Sequence, residues 1–257
     1  GLALLRGLRP ALEEMGVGVF EGTLVLRIRE GTTVDLETPS GRVKAAAVVL
    51  ATNAYAPRLG YFRGGILPLW SHMRGPDPVP PAVWEERGWK EGDAFSDDRD
   101  RIAFGCRTRA GRLVFGGGSN AAYEYRLGAA PPAGGARSRG AWTAMHATLS
   151  SYLPGFAGIP LRHRWAGLLD LSFDRAPSIG VRGTARNVYY AIGYSGHGFT
   201  LGILAGRILC DLYAGEHEPW RSFPFYQRRL PWIPPEPLRW IGYQAYTRLT
   251  GRSPRRP

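Results

Sequence analysis

Residues 188–215 read VYYAIGYSGHGFTLGILAGRILCDLYAG, and this segment decides the fold class. The run Val188–Ile192 is typical of a buried strand, and residues 199–214 have the apolar spacing of a helix that ends at Gly215. The loop between them contains Gly193, Gly196 and Gly198. A strand, a glycine-rich loop and a helix in this order direct backbone N–H groups and the positive helix end towards an anion.

The loop does not match the common phosphate-binding motifs. It lacks a Gly-Lys-Ser or Gly-Lys-Thr ending, and its glycines do not follow the G-x-G-x-x-G order of a dinucleotide fold. A turn that only lets the helix pack closely would also use glycines, so a purely structural loop remains an alternative. In the helix itself, small residues are expected to allow a neighbouring element to approach closely: Gly202, Ala205 and Gly206.

A second buried strand is predicted earlier in the chain. Residues 42–51 become continuously apolar from Ala45 onwards, which is typical of a strand buried on both faces, and the run ends at Thr52-Asn53. Ligands of α/β sheets bind at such strand ends. The sequence therefore predicts a ligand contact just after residue 51.

The first forty residues predict a helix followed by a hairpin. Apolar side chains recur at helical spacing over residues 2–15, which indicates an amphipathic helix ending at Gly16. Residues 23–29 and 32–37 alternate apolar and polar side chains on either side of Gly31, which is typical of a hairpin. The inward-facing side chains of its first strand are expected to be Leu24, Leu26 and Ile28.

Residues 61–174 have a different character, because short strand-like segments are separated by connections rich in Pro and Gly. The predicted strands are residues 66–73, 101–106 and 112–116, and one helix is predicted at residues 137–153. Such a set is typical of an antiparallel sheet with a helix on one face. We therefore predict a mixed α/β (α+β) fold in four segments: part of an α/β domain (1–60), an inserted antiparallel-sheet domain (61–173), the return of the first domain (174–218), and an irregular, basic tail rich in Pro and Trp (219–257).

Composition and charge exclude several function classes. The 33 Lys and Arg residues exceed the 21 Asp and Glu residues by 12, but the arginines are scattered and no nucleic-acid motif is present, so we expect a basic solvated surface and no nucleic-acid partner. The longest apolar run has seven residues, whereas a membrane helix needs about 20. Cys106 and Cys210 form no metal-binding pattern and are expected to be buried. These features predict a soluble, cytoplasmic protein with no metal and no membrane partner.

Residues 193–201, GYSGHGFTL, resemble the late flavin motif of the D-amino-acid-oxidase-like family of FAD-dependent oxidoreductases. Members of that family include glycine oxidase, sarcosine oxidase and γ-glutamylputrescine oxidoreductase. Other segments resemble further motifs of the family in the same order: EGTLV (21–25), VVLATNAY (48–55), ILPLWSHM (66–73), and WAG followed by DRAPSIG (165–180). The resemblance covers most of the chain up to about Gly215.

The resemblance implies a partial FAD-binding, Rossmann-like domain around an inserted substrate-binding sheet, with noncovalently bound FAD. It implies that the enzyme oxidises a C–H bond next to the nitrogen of a small-molecule amine or amino acid. The cofactor-binding residues that it implies are Val25, Ala51, Thr52, Asn53, Gly193, Tyr194, Ser195, Gly196, His197, Gly198, Phe199 and Thr200. An amine pocket is expected to be lined by Trp70, His72 and Trp165, because aromatic faces attract cations, although each Trp would also suit a core.

Two features depart from the family pattern. The glycine-rich dinucleotide fingerprint is absent, so we expect an N-terminally truncated chain that does not hold FAD tightly by itself. Glycine-oxidase-like members have an Arg for the substrate carboxylate shortly after WAG, whereas residues 168–170 read LLD here. That difference favours an amine or polyamine conjugate over a simple α-amino acid. A nonenzymatic fragment, or a basic binding module that does not hold FAD, remains the alternative function.

Overall fold

A computed structural model of the chain describes residues 2–97, 102–117, 136–156 and 158–250. The helices in these ranges are α1 (Leu2–Glu14), α2 (Pro81–Glu86), α3 (Ala136–Tyr152), α4 (Gly198–Tyr213) and α5 (Leu238–Thr250). The strands are β1 (Arg27–Arg29), β2 (Val34–Thr38), β3 (Gly41–Ala45), β4 (Val48–Leu50), β5 (Leu67–Gly75), β6 (Ala94–Ser96), β7 (Ala103–Arg107), β8 (Leu113–Gly117), β9 (His163–Leu171), β10 (Ser178–Arg182) and β11 (Val188–Ile192).

The chain divides into two compact units. Unit 1 contains residues up to 66 and residues 170–232, and unit 2 contains residues 67–169 and those from 233 onwards. The four-segment domain division drawn from the sequence stays a prediction. Within the described ranges, no helix is long and apolar enough to cross a bilayer.

The first part of unit 1 contains the predicted helix and hairpin. α1 is present, and its leucines at positions 4, 5, 8 and 12 are 40% to 57% exposed in the described structure. β1, β2 and β3 form an antiparallel sheet in that order, which confirms the hairpin. The predicted inward orientation is wrong for Leu24 and Leu26, which are 64% and 50% exposed, because β1 begins only at Arg27. Ile28 packs against the core as predicted.

The single buried strand predicted over residues 42–51 is wrong. The segment forms β3, which is mostly exposed and antiparallel to β2, and β4, which is parallel to β11 in a different sheet. The break between them has a visible cause, because the Ala46 carbonyl accepts a hydrogen bond from the side-chain amide of Asn187 at 3.1 Å instead of extending a strand ladder. The same amide donates to the Gly31 carbonyl at 3.0 Å.

The second sheet of unit 1 has the order β10-β11-β4, with β11 in the centre. β11 spans the predicted residues and is buried throughout, and α4 matches the predicted helix to within one residue at each end. α4 packs on this sheet through Ala205, Ile208 and Leu212. The close approach predicted at Gly202 and Gly206 is wrong, because a Cβ atom added at either position meets nothing within 4 Å.

Unit 2 contains a five-stranded sheet in the order β6-β7-β8-β5-β9, whose β6–β7, β7–β8 and β5–β8 pairs are antiparallel. The antiparallel sheet and the helix predicted at residues 137–153, which corresponds to α3, are therefore confirmed. Residue 101, the predicted start of one strand, lies outside the described residues.

Cross-strand pairing gives this sheet two distinct faces. Arg74 pairs with Phe115, and Phe115 is buried in one cluster with Met145 of α3, so this side is called the helix face. Met73 and Val114 are the sequence neighbours of that pair and therefore lie on the opposite face. The arginine is fixed on the helix face, because its guanidinium donates to the carbonyls of Trp142 and Leu161.

Two further expectations differ from the structure. The prediction of an irregular tail is wrong over residues 238–250, which form α5. Ile233, which precedes this helix, is buried at 8% exposure. Residues 251–257 lie outside the described residues. Cys210 is exposed, not buried, because it lies on α4 outside the buried positions 205, 208 and 212, and Cys106 is half-buried.

Candidate functional site

The ends of two parallel strands meet at one edge of the sheet in unit 1. β4 and β11 are parallel neighbours, with Leu50 paired to Tyr190, so the two strands end at the same edge. Ala51, Thr52 and Asn53 follow β4, and the glycine loop follows β11. Ligands of α/β sheets bind at such edges. The structure thus brings to one edge two groups of residues that the sequence predicts to bind a cofactor, residues 51–53 and the glycine loop.

The glycine loop turns through three left-handed residues. Their φ angles are +80° at Gly193, +54° at Ser195 and +100° at Gly196. Ser195 tolerates this conformation because its hydroxyl donates to the Gly193 carbonyl at 3.1 Å and accepts from the Ser172 N–H at 3.1 Å. A Cβ atom added at Gly196 would meet nothing within 4 Å, so the outer side of the loop is open space in the described structure.

Asp170 lies beneath the first half of the loop. Its side chain is buried, with 2% exposure, and its Oδ2 accepts a hydrogen bond of 2.6 Å from the Gly193 N–H. Its carbonyl accepts a second bond from the Ser195 N–H at 3.3 Å. Burial raises the pKa of Asp170, and backbone hydrogen bonds, first that of Gly193 and then that of Tyr194, oppose the rise. The N–H groups of Gly193 and Ser195 are therefore occupied by hydrogen bonds to Asp170.

Tyr194 and His197 have different surroundings. Burial, with the nearby charge of Asp170, raises the pKa of Tyr194 to about 12, so its phenol stays protonated at neutral pH. Its ring lies against the start of α4, since a Cβ atom added at Gly198 would be 3.4 Å from the tyrosine side chain. His197 is exposed and occupies the position before α4 without a side-chain hydrogen bond to the helix.

The second half of the loop leads into an exposed helix start. Phe199 is 56% exposed, Thr200 is exposed and Gly198 is half-buried. The helical hydrogen bonds begin with Leu201, whose N–H donates to the His197 carbonyl at 3.1 Å. The N–H groups of residues 198–200 have no hydrogen-bond partner among the described residues, as is usual for a first helical turn. They carry the positive end of the α4 dipole.

The end of β4 offers a polar atom that suits a ligand. The Thr52 hydroxyl oxygen is buried and has no hydrogen-bond partner among the described residues. Ala51 is exposed, and Asn53 adopts a left-handed φ of +49°. Val25 is half-buried and lies just before β1. A buried hydroxyl without a protein partner is costly unless something else bonds it, so Thr52 fits a bound polar group.

The three predicted amine-pocket residues lie on different faces of the sheet in unit 2. His72 is on the helix face at 1% exposure, with its ring edge-on to Trp142 of α3 at a centroid distance of 5.6 Å. Trp70 shares this face, and its indole nitrogen is buried without a partner among the described residues. Burial lowers the pKa of His72. Trp165, 44% exposed, lines a cavity with Val114 on the opposite face.

Sequence reasoning missed Asp170 and treated it only as a departure from an arginine pattern. The signal available was a single carboxylate in the apolar run of residues 166–171, AGLLDL. A lone acid in a buried strand needs backbone donors, and the loop 23 residues later supplies them.

Comparison with known proteins gives a consistent result. Residues 1–212 match a family model described as FAD dependent oxidoreductase. The γ-glutamylputrescine oxidoreductase of Escherichia coli is 30% identical over 226 residues, which are 86% of this chain and 49% of that protein. A probable oxidoreductase, OrdL, of Haemophilus influenzae is 27% identical over 219 residues, 82% of this chain and 46% of that protein. The chain spans about half the length of the curated relatives it matches.

A solved structure shares the fold. The crystal structure of glycine oxidase from Geobacillus kaustophilus superimposes with a TM-score of 0.67 at 20% identity, covering 85% of this chain and 55% of that one. The mixed α/β fold predicted from the sequence is thereby confirmed.

Proposed function

The chain belongs to the family of FAD-dependent oxidoreductases, and on that basis we propose that it supplies part of the active site of an enzyme that oxidises the CH–NH bond of an amine or amino acid. The observation that carries this proposal is the parallel pairing of β4 with β11. It brings residues 51–53 and 193–198 to one sheet edge, beside the exposed first turn of α4.

Three parts of unit 1 would hold noncovalent FAD. The N–H groups of Gly198, Phe199 and Thr200 would stabilise negative charge on the flavin, to which a partly buried helix end contributes up to ~2 kcal/mol. The Thr52 hydroxyl would bond a polar group of the dinucleotide, and Val25 is expected to contribute its backbone. When bound, FAD supplies the chemistry of accepting a hydride from the carbon next to an amine nitrogen.

The loop residues would shape the approach to this helix end. Gly196 leaves space for a flat ligand, because it carries no side chain on the open side of the loop. Asp170 would keep the N–H groups of Gly193 and Ser195 turned inward, so that the outward donors are those of the α4 first turn. His197 lies at the boundary between the two sets and is exposed to whatever occupies the open side.

The proposed substrate class is an amine conjugate. Residues 168–170 offer no arginine for an α-carboxylate, and a relative at 30% identity is named for γ-glutamylputrescine, a conjugate of that kind. Of the three aromatic candidates, Trp165 supports this proposal best, because it is exposed in a cavity, whereas His72 lies beneath α3. A cytoplasmic location and the lack of a nucleic-acid partner stay predictions.

The test is expression from the native gene, with whatever coding sequence precedes Gly1 in frame, followed by the absorption spectrum of the purified protein. We expect a flavin spectrum that bleaches when an amine substrate is added without oxygen. Phe199→Asp, which places a negative charge at the α4 end, should weaken flavin retention, whereas Ile203→Asp one turn later should not. A colourless, well-folded product would favour the alternative of a nonenzymatic fragment.

A further inference from the structure

A cavity of about 350 Å³ opens on the sheet face of unit 2 that lies opposite α3. Its lining residues come from the ends of three neighbouring strands and from the segment after β5: Gly75, Pro76, Arg112, Val114, His163 and Trp165. All of them belong to unit 2, so the cavity is formed within one compact unit.

The floor of the cavity is apolar. The apolar side chains that line it are those of Trp165, Val114 and Pro76. Gly75 keeps the space beside the indole clear, because an added Cβ atom would lie 3.9 Å from the Trp165 ring and 3.2 Å from the Leu113 carbonyl. Such a floor suits an aliphatic or amide chain a few atoms long.

The rim of the cavity is cationic. Asp77 is surrounded by His163 Nε2 at 3.0 Å, Arg162 at 3.3 Å and Arg112 at 3.8 Å. The pKa of Asp77 is held below its usual value, first by the hydrogen bond from His163, so this carboxylate is ionised at neutral pH. Arg112 and His163 line the cavity, and Arg162 and Asp77 adjoin them, so two arginines against one carboxylate leave a net positive charge at this rim.

The Arg112 side chain is positioned by contacts of a single guanidinium nitrogen. One guanidinium nitrogen, Nη1, donates to the Pro76 carbonyl at 3.1 Å and contacts His163 Nε2 at 3.2 Å. The side chain is 37% exposed. A guanidinium fixed through one nitrogen can still offer its other donors to a carboxylate, for which its planar fork is well shaped.

We propose that this cavity binds the carboxylate end of an elongated amine conjugate, with the chain of the ligand against Trp165 and its carboxylate on Arg112. The inference rests on the proposed function for the identity of the amine end, but the carboxylate site itself does not depend on flavin. The positive charge at the rim disfavours the cationic end of the same molecule.

The experiment uses the full chain without flavin and the monobutylamide of succinic acid as the probe, with its methyl ester as the uncharged control. The protein carries fluorinated tryptophan, and the ¹⁹F resonance of Trp165 is assigned with Trp165→Phe. The other seven of the eight tryptophans report whether each variant is folded. We expect the acid to shift the Trp165 resonance saturably and the ester to do so at concentrations at least roughly tenfold higher, because a hydrogen bond to a charged group is lost.

Three variants distinguish a specific carboxylate site from nonspecific binding of the probe. Arg112→Gln should weaken binding of the acid by roughly tenfold or more, and Asp77→Asn should tighten it, because the competing carboxylate is removed. Arg109→Gln is the matched control, since Arg109 is 92% exposed in the turn between β7 and β8 and pairs with Glu91, and it should change nothing.

Equal affinity for acid and ester, or no response to both Arg112→Gln and Asp77→Asn, would overturn the inference. Binding of the acid by a chain whose native gene product lacks flavin would refute the proposed function and leave the carboxylate site standing. A flavin-bearing product that does not bind the probe would do the reverse.

Discussion

The side-chain oxygen Oδ2 of Asp170 lies 2.6 Å from the backbone nitrogen of Gly193 and accepts its hydrogen bond. This contact connects the end of β9 to the first residue of the glycine loop. The acceptor belongs to a different strand, so this contact holds the loop from outside, in addition to the hydrogen bond that the Ser195 hydroxyl donates to the Gly193 carbonyl within the loop. Replacement of this carboxyl group therefore tests how the loop is held.

Asp170→Asn should change the pH dependence of stability. Burial raises the pKa of Asp170 above its ordinary value of 3.8, so folding favours the protonated form. The stabilisation from this group is fully present below the pKa of the unfolded chain and is lost as pH rises through the raised pKa. We expect the free energy of unfolding of the wild type, relative to the Asn variant, to fall as pH rises above the ordinary pKa of an aspartate, measured by urea denaturation. A difference that grows with pH would mean that the backbone donors outweigh burial.

Thr52→Val should separate stability from cofactor binding. The valine is nearly isosteric and removes a buried hydroxyl that has no partner among the described residues, so the flavin-free protein should be unchanged or more stable by up to about 1 kcal/mol. Flavin affinity of the native gene product should fall by roughly tenfold, measured by quenching of flavin fluorescence. Thr38→Val is the control, since the Thr38 hydroxyl bonds the Gly41 carbonyl at an exposed turn. Equal flavin affinity in both variants would remove Thr52 from the site.

Two glycines near the start of α4 should respond in opposite ways to alanine. Gly196 has a left-handed φ of +100°, so Gly196→Ala should destabilise the chain by about 1 kcal/mol although the added methyl group meets open space. Gly202 is helical and equally uncrowded, so Gly202→Ala should stabilise by up to about 1 kcal/mol. Thermal denaturation of both variants checks the pair. A stabilised Gly196→Ala variant would show that the loop relaxes out of its left-handed turn.

Local signals in the sequence were sufficient for the strand β11, the loop and α4. The apolar run, the glycines and the helical spacing all lie within 28 residues, and each element depends mainly on its own side chains. The run at residues 42–51 was different. Its apolar character is compatible with one long strand or two short ones, and the choice was made by Asn187, whose amide takes the Ala46 carbonyl.

The faces of the unit 2 sheet could not be predicted for the same reason. His72 and Trp165 are both in motifs of the resembled family, but their orientation depends on strand pairing and on where α3 packs, which are non-local. Asp170, and Arg112 of the proposed carboxylate site, could not be singled out because their partners, Gly193 and Asp77, are far away in the chain. Side chains whose role comes from a distant partner leave little trace in a pattern of spacing.

The ion pair between Asp174 and Arg228 should give a pH dependence opposite to that of Asp170. Arg228 bonds the Asp174 carboxylate and also donates to the Ala176 carbonyl at 2.6 Å. Burial is the largest single effect on the pKa of Asp174 and would raise it, but the hydrogen bond and charge of Arg228 and the backbone hydrogen bond from Ala176 together lower it below its ordinary value. The resulting stabilisation is present above the ordinary pKa of an aspartate and is lost as pH falls through the lowered value.

Arg228→Gln should therefore cost about 1 kcal/mol near neutral pH, since the Asp174 side chain is 38% exposed and partly screened by solvent. The cost should shrink in acid, where the carboxylate is protonated in both proteins. Arg229→Gln, at the exposed neighbouring position, is the control and should leave the urea midpoint unchanged. A cost that does not change as pH falls through the whole acid range would assign the effect to the Ala176 carbonyl bond alone, because that bond does not titrate.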